Sequence, residues 1–300
     1  MSDAPSEQTV AVDGVAVNVA EWSPATRRKA PAVLLVHGLG GSTINWHLVG
    51  QPIADALGAP VVALDLIGFG RTPLDGRRST IDANARLLAA FLRDRGARVV
   101  VGNSMGGSVA VRLAAHQPEL VDALVLVNPA LPFARNRPSP RNLRNLAVFA
   151  TASMPIAGPW IMDARARRLG AAGVVDSSLR ASRIDPARMD QRVRDALIEL
   201  TEWRHANGVA SRAYHDAIRS LLPSLTNAMA ADLAAVRAPT LVVHGREDNL
   251  VPLALADALA RRRPEWQVEV LDCGHLPLLE LPYELVDVVT RWVAGVATTG

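Results

Sequence analysis

Residues 97–118, ARVVVGNSMGGSVAVRLAAHQP, join an apolar run to a helical pattern through a serine flanked by glycines. Val99–Val101 is typical of a buried strand, and the spacing of apolar residues over Val109–Ala114 is typical of a helix. Between them lies Gly102-Asn103-Ser104-Met105-Gly106, a G-x-S-x-G pattern in the strand-turn-helix context that exposes the serine hydroxyl. The start of the helix offers free N–H groups and partial positive charge to an anion. Ser104 is therefore a candidate nucleophile, and the alternative is a helix-capping serine at a glycine-rich turn.

The composition is that of a folded protein with one large core. The chain has 300 residues, of which 49% are hydrophobic and 20% are charged. This length accommodates one core, or one core with a lid, and the composition excludes disorder. No apolar run reaches the length of a membrane span, and the acidic, polar first residues are not typical of a secretory signal. Because the single cysteine, Cys273, cannot form an internal disulfide, we expect a cytoplasmic protein.

The positive charge is concentrated in one segment of the chain. The net charge is +3, and residues 131–232 hold 15 arginines against 9 acidic residues, so the remainder is net negative. A basic segment can bind nucleic acid. Here the arginines alternate with acidic and apolar residues without an aromatic stripe, which favours a solvated helical surface with mild attraction for anionic substrates. We therefore expect no nucleic-acid partner.

Apolar runs typical of buried strands alternate with helical patterns on both sides of this segment. Residues 8–22 alternate around Asp13-Gly14 and predict a hairpin. Further strands are predicted at 31–36, 61–64, 99–101, 123–127, 239–243 and 267–271. This alternation indicates an α/β fold, with a mostly parallel central sheet and helices on both faces. We assign residues 1–130 and 233–300 to this core and 131–232 to an inserted helical cap.

Four chemically informative pieces directly follow predicted strands: His37–Gly41, Ser104, Asp248 and His275. In parallel sheets, functional groups gather at the carboxyl ends of the strands. A serine hydroxyl is a poor nucleophile unless a base takes its proton, and the base needs a third group to orient it. The chain supplies these groups in the order Ser, Asp, His. We therefore predict a catalytic triad of Ser104, Asp248 and His275.

The order of these groups and the motifs around them resemble the α/β-hydrolase fold superfamily. The matching motifs are HGLGG at 37–41, GNSMGG at 102–107, GREDNLVP at 245–252 and CGHLPLLE at 273–280. The resemblance covers about residues 8–130 and 236–295. The helical segment between these ranges occupies the place of the family's cap domain.

The resemblance implies a role for each site residue. Ser104 would attack an acyl carbon, His275 would take and return the proton, and Asp248 would orient His275 and stabilise its cation. The backbone N–H of Met105, the residue after the nucleophile, would bind the oxyanion. By resemblance, the N–H of Leu39 would be the second oxyanion donor.

Other residues compete for these roles. Glu247 neighbours Asp248, and Asp248 is preferred because the family places the acid three residues before a Val-Pro pair. Asn128 occupies the alternative acid position after the preceding strand, but an amide cannot serve as an acid. His37 and His244 also follow strands, and each precedes a glycine at a turn, which favours a structural role.

The sequence indicates neither a metal nor a nucleotide cofactor. No pair of His or Cys residues has ligand spacing on one element, and no G-x-G-x-x-G or Walker pattern follows a strand. We therefore expect a small-molecule substrate and no cofactor, while the oligomeric state stays open. Asp65 is expected to stabilise a loop and Cys273 to be a packed small residue. Arg71 either pins the loop near the site or lies at the surface.

Three functions are compatible with this pattern. Serine at the nucleophile position argues against the dehalogenase and epoxide hydrolase relatives, which use aspartate there. The first expectation is a carboxylic-ester hydrolase that acts on a small or medium, largely apolar ester. The alternative is a hydrolase that cleaves carbon–carbon bonds in ring-fission products. Those relatives carry a tryptophan after the catalytic histidine, where this chain has Leu276, and use a cap arginine that the sequence does not single out. The third hypothesis is a non-catalytic ligand receptor on the same fold.

Overall fold

An eight-stranded sheet lies at the centre of the computed structural model, which describes residues 4–132, 154, 157–207, 210–224 and 227–297. Its strands are β1 (Ser6–Val12), β2 (Val15–Trp22), β3 (Val33–Val36), β4 (Val61–Leu64), β5 (Val99–Asn103), β6 (Ala123–Val127), β7 (Thr240–Gly245) and β8 (Gln267–Leu271). They are ordered β1-β2-β4-β3-β5-β6-β7-β8. β2 pairs antiparallel with β1 and β4, and the other neighbours pair parallel. The predicted α/β fold with a mostly parallel sheet is confirmed.

The N-terminal hairpin follows from its turn residues. Val12 pairs with Val15, so Asp13 and Gly14 form the turn, with φ angles of 48° and 71°. Two central residues with positive φ form the type I′ turn, whose twist matches that of the flanking strands. The predicted hairpin around Asp13-Gly14 is confirmed.

Helices cover both faces of the sheet. They are α1 (Gly50–Leu57), α2 (Ile81–Arg95), α3 (Met105–His116), α4 (Ala157–Ala181), α5 (Gln191–Ala206), α6 (Ala210–Ser224), α7 (Asn227–Ala235), α8 (Ala254–Arg262), α9 (Pro277–Glu280) and α10 (Pro282–Ala297). Successive residues of β3 enter opposite apolar clusters: Val33 and Leu35 lie in one, and Leu34 and Val36 in the other. Because both faces are buried, such a strand appears in the sequence as a continuous apolar run.

The helices α4–α7 lie between β6 and β7, in the segment predicted to be an inserted cap. The described part of residues 131–232 contains helices and no strand, as the sequence predicts. α4 is interrupted at Gly170, which has a φ of 66°. Residues 133–153 lie outside the described residues, and the assignment of 131–232 to a separate cap domain stays a prediction. Within the described ranges, no helix is both long and apolar enough to cross a membrane.

One predicted helix is wrong in its extent. The sequence predicts a single helix after the HGLGG loop, with Trp46 and Leu57 on one side, but the structure has a 3₁₀ turn at Thr43–Trp46 followed by α1. Ser42 and Asn45 exchange side-chain-to-backbone hydrogen bonds that close the first turn as a capping box.

Candidate active site

Ser104 lies in the turn between β5 and α3 and has a strained backbone conformation. Its φ of 52° and ψ of −118° are rare for a residue with a Cβ atom, and its side chain is partly exposed. The first turn of α3 approaches β3 so closely that a Cβ on Gly106 would lie 2.3 Å from the Val36 carbonyl oxygen. Glycine at position 106 therefore permits the turn that exposes the serine at the sheet edge.

The loop after β3 lies directly against Ser104. A Cβ on Gly38 would lie 3.0 Å from the Cβ of Ser104 and 3.2 Å from Oδ1 of Asn103. His37 fixes this loop: the Leu66 amide donates to its Nε2 (3.0 Å), so Nδ1 carries the proton and donates to the Gly38 carbonyl (2.7 Å). Burial lowers the pKa of His37 to about 4, so the ring stays neutral near pH 7. These contacts agree with the structural role predicted for His37.

A buried carboxylate joins this loop to the loop after β4. Asp65 accepts hydrogen bonds from the amide of Thr43 (2.7 Å), the amide of Arg71 (2.8 Å) and the side chain of Asn18 (2.9 Å). Burial raises the pKa of Asp65 to about 6, while the three donors oppose that shift. The contacts agree with the loop-stabilising role predicted for Asp65.

The two predicted oxyanion donors lie in the two segments that meet at Ser104. Met105 is the first residue of α3, where amide groups have no acceptor within the helix. Leu39 follows Gly38 in the loop that contacts Ser104. Within the described parts of the chain, neither the Leu39 amide nor the Met105 amide donates a hydrogen bond to a protein acceptor. Both amides can therefore donate a hydrogen bond to a bound ligand.

Asp248 and His275 form a short hydrogen bond at the same sheet edge. His275 Nδ1 lies 2.6 Å from Asp248 Oδ2, and both side chains are buried. The other carboxylate oxygen accepts the amides of Leu250 (2.7 Å) and Val251 (2.9 Å). Desolvation alone would raise the pKa of the Asp248 carboxyl, but the His275 ring and the hydrogen bonds from Val251 and Asn128 outweigh it and hold the pKa below its usual range. Glu247, the rival acid, instead forms an exposed ion pair.

The Ser104 hydroxyl and the His275 ring make no hydrogen bond among the described residues. Hydrogen bonds of this kind are often long in unliganded enzymes and tighten when substrate binds. Asn103 connects the two residues: it precedes Ser104, and its Nδ2 lies 3.5 Å from the His275 carbonyl oxygen. Since Asp248 occupies Nδ1 of His275, the nitrogen left for proton transfer is Nε2.

Asn128 has a role that the sequence analysis missed. Its side-chain amide donates to Asp248 Oδ2 (2.6 Å), and its Oδ1 accepts the Gly245 amide (3.3 Å). The residue is fully buried directly after β6 and has a φ of 46°. Asparagine is favoured among non-glycine residues at positive φ, and a polar residue directly after a predicted strand was the available signal.

A turn of the inserted segment contacts the histidine loop. The His275 amide donates to the carbonyl of Ser182 (2.8 Å), directly after α4. Arg188 donates to the Asp272 carbonyl (3.2 Å) and lies 3.6 Å from Oε1 of buried Glu280. The other oxygen of Glu280 accepts the amide of Gly274 (2.8 Å). The sequence carries no local motif for these contacts.

Two arginines join the inserted helices to the loop after β4. The guanidinium of Arg71 lies over the ring of Trp203 in α5 at 5.2 Å, which supports the loop-pinning alternative for this residue. The guanidinium of Arg204 lies 5.5 Å from the Phe69 ring and donates to the carbonyl of Gly68 (3.3 Å). Cys273 is buried, and burial raises the pKa of its thiol to about 12, in agreement with a packed, unreactive side chain.

The chain matches a known protein family over most of its length. The family model described as "Alpha/beta hydrolase family" matches residues 33–288. The chain belongs to the alpha/beta hydrolase family. The order of the strands in the sheet and the serine turn after β5 agree with this membership.

Relatives of this alpha/beta hydrolase include enzymes of two reaction types. It is 30% identical over 264 residues to the lipase LipV of Mycobacterium tuberculosis, covering 86% of this chain and 91% of the relative. It is 27% identical over 273 residues to the 2-hydroxy-6-oxo-6-(2'-aminophenyl)hexa-2,4-dienoic acid hydrolase of Metapseudomonas resinovorans, covering 89% and 85%. A crystal structure of a bacterial membrane phospholipase A is similar, with a TM-score of 0.72 and 25% identity over 98% of this chain and 87% of that one. The chain is therefore a hydrolase of a family that contains lipases, esterases and carbon–carbon bond hydrolases.

Proposed function

We propose that this chain is a serine hydrolase that cleaves a small or medium carboxylic ester through an acyl-enzyme on Ser104. The observation that carries the proposal is the Asp248–His275 hydrogen bond of 2.6 Å, at the sheet edge where Ser104 occupies a strained turn. A carboxylate behind Nδ1 leaves Nε2 as the base for a serine proton. Lipase and esterase relatives support the same reaction type.

The proposed reaction uses the same residues in both of its halves. His275 takes the Ser104 proton as Oγ attacks the acyl carbon, and the amides of Leu39 and Met105 bind the resulting oxyanion. The imidazolium returns the proton to the leaving alcohol as the ester C–O bond breaks. Water, deprotonated by His275, then cleaves the acyl-enzyme and releases the acid and Ser104. Asp248 stabilises the imidazolium in both halves.

Turnover of p-nitrophenyl butyrate tests the proposal. We expect the wild type to release p-nitrophenol and Ser104→Ala to lose about 10⁴-fold or more of kcat without a change in circular dichroism. A wild type inactive toward esters of every acyl length, but holding a tight and unhydrolysed ligand, would support the non-catalytic receptor instead. A series of acyl chain lengths would then define the substrate class.

A carbon–carbon bond hydrolase is the second candidate, and one cap residue favours it. Arg204 is 8% exposed and is the one buried arginine among the described residues. Its charge has no carboxylate within ion-pair distance in the described parts of the chain, although Asp65 is near enough to favour its charged form. A relative acts on a dienoic acid. Leu276 departs from the tryptophan that the carbon–carbon bond hydrolases carry at this position.

A vinylogous diketo acid from ring cleavage separates the two candidates. If the chain is a carbon–carbon bond hydrolase, it turns over this acid faster than esters, and Arg204→Gln raises KM for the acid alone. If esters turn over and the acid does not, the second candidate fails.

The cytoplasmic location and the cap boundaries 131–232 stay predictions.

A further inference from the structure

We propose that Asn128 is a positioning residue that holds the Asp248 carboxylate in register with the His275 ring. The inference rests on the proposed hydrolase function and assigns to it a residue outside the triad. Asn128 is 120 residues from Asp248 in sequence, so the contact depends on the fold alone.

The amide of Asn128 and the His275 ring share one carboxylate oxygen. Asn128 Nδ2 and His275 Nδ1 each lie 2.6 Å from Asp248 Oδ2. A carboxylate oxygen has two lone-pair directions, and two donors fix both. The other oxygen is already fixed by two backbone amides. Among the described residues, Asn128 is the one side chain besides His275 that donates to this carboxylate, and its hydrogen bond resists displacement of Oδ2 from the ring.

Asn128 is itself held on three sides. Its backbone amide donates to the Val243 carbonyl (2.9 Å), and its Oδ1 accepts the Gly245 amide at the end of β7. Its Nδ2 also lies 3.5 Å from the Gly274 carbonyl in the histidine loop. The acceptor contact at Oδ1 fixes which end of the amide faces Asp248. The side chain thus joins the ends of β6 and β7 to the loop that carries His275.

The left-handed backbone at position 128 points to the same role. A φ of 46° costs a non-glycine residue about 1 kcal/mol or more, and asparagine tolerates it better than other residues. Glycine would relieve that strain but has no donor. The strained backbone, the complete burial and the three partners of the side chain all indicate that position 128 needs the amide group.

Other titratable groups lie near the pair. His244 of β7 has Nε2 3.9 Å from Asp248 Oδ2, and burial lowers its pKa. Cys273 is buried, and burial raises the pKa of its thiol. Asp257 favours the charged form of His244, and Glu280 accepts the Gly274 amide and lies 3.6 Å from Arg188. Among the described residues, Asn128 and His275 are the side chains that donate to Asp248 Oδ2.

Replacement of Asn128 by leucine tests the role with a side chain of the same branching that cannot donate. Asn128→Leu removes the donor and keeps the space filled, and Asp75→Leu is a matched control because Asp75 also has a φ of 46° in an exposed loop. We expect Asn128→Leu to lower kcat for p-nitrophenyl butyrate by about 10- to 100-fold with KM within about twofold, and Asp75→Leu to leave both unchanged. Asn128→Gly, which relieves the backbone, serves if the leucine variant does not fold.

An NMR signature separates positioning from a general loss of structure. The proton that His275 Nδ1 donates to Asp248 in a 2.6 Å hydrogen bond should give a downfield proton resonance. Without the Asn128 donor the carboxylate is held less firmly against the ring, so in Asn128→Leu this resonance should move upfield or broaden, whether or not esters turn over. A folded Asn128→Leu protein with wild-type kcat and an unchanged resonance would overturn the proposal. If the wild type hydrolyses no ester but the resonance still shifts in the variant, the proposed function fails and the positioning role stands.

Discussion

At the scale of single residues, the close approach of Gly38 to Ser104 predicts that the loop after β3 does not tolerate a side chain at position 38. A Cβ at position 38 would lie 3.0 Å from the serine Cβ, closer than most packed carbons approach. The loop and the nucleophile would have to separate. The amides of Leu39 and Met105, the proposed oxyanion donors, would then be misaligned with the oxyanion.

Gly38→Ala should therefore impair both catalysis and stability. We expect a loss of about 10- to 100-fold in kcat, which is part of the roughly 3 kcal/mol that one oxyanion donor contributes, and an unfolding free energy lower by about 1–3 kcal/mol. Steady-state kinetics and urea unfolding measure the two effects. Gly295→Ala is the control, because a Cβ there meets no atom within 4 Å. Equal kcat in the two variants would contradict the contact's role.

His37 predicts a pH dependence of stability. Its pKa of about 4 in the folded chain lies below the ordinary histidine value of 6.5, so only the unfolded chain takes up its proton as pH falls from 6.5 towards 4. The His37 contribution to stability is present above pH 6.5 and is lost by up to about 3 kcal/mol on approaching pH 4. Asp65, with its pKa raised to about 6, acts with the opposite sign in this window.

Comparison of the wild type with His37→Gln separates the contribution of His37 to the pH dependence of stability from the contribution of Asp65. At pH 7 the variant should be the less stable protein, and the difference in unfolding free energy should shrink as pH approaches 4. Urea unfolding at several pH values measures the difference. A constant difference from pH 7 to pH 4 would show that His37 titrates normally in the folded chain.

At the scale of elements, the turn between α4 and α5 holds the histidine loop. Arg188 contacts the Asp272 carbonyl and Glu280, and Glu280 accepts the Gly274 amide. Arg188→Met leaves the buried Glu280 carboxylate without its cation. We expect kcat to fall about tenfold, with partial recovery in Arg188→Lys. Arg291→Met, which breaks a surface pair in α10, should have no effect, and equal kcat in Arg188→Met and Arg291→Met would contradict the role of the turn.

The elements that follow local rules could be predicted from the sequence. The buried strands appear as apolar runs, and Asp13-Gly14 determines the hairpin turn. Ser79-Thr80 precedes a helical pattern, and Thr80 caps α2 by accepting the Ala83 amide. These features depend on neighbours in the chain, so a pattern of a few residues contains the information.

The features that depend on distant contacts could not be predicted. Asn128 was excluded as an acid, but its donor role requires Asp248 to be folded against it. Ser182 and Arg188 lie in a segment without motifs, and their partners are about 90 residues away in sequence. The triad geometry itself stays a prediction, whereas the strand ends that place its three members at one edge are observed.

At the scale of the whole molecule, the sheet and the inserted helices differ in burial. Every residue of β3, β5 and β6 is buried, whereas α4 buries three of its 25 residues. Local opening costs less free energy where few apolar contacts close an element. The inserted helices should therefore open more often than the sheet.

Hydrogen exchange measured by mass spectrometry tests this difference. Peptides from β5 and β6 should stay protected after those from α4 have exchanged, by about two orders of magnitude in time. Uniform protection would indicate that the inserted helices and the sheet open as one unit.

Covalent trapping tests the central claim, that Ser104 is a nucleophile activated by His275 and Asp248. A fluorophosphonate should add one phosphonyl group per chain, located by peptide mass spectrometry on Ser104, and labelling should be slower by about 10³-fold or more in Asp248→Asn. Ser104→Ala should not be labelled. Labelling of another residue, or equal rates in the wild type and Asp248→Asn, would contradict the account.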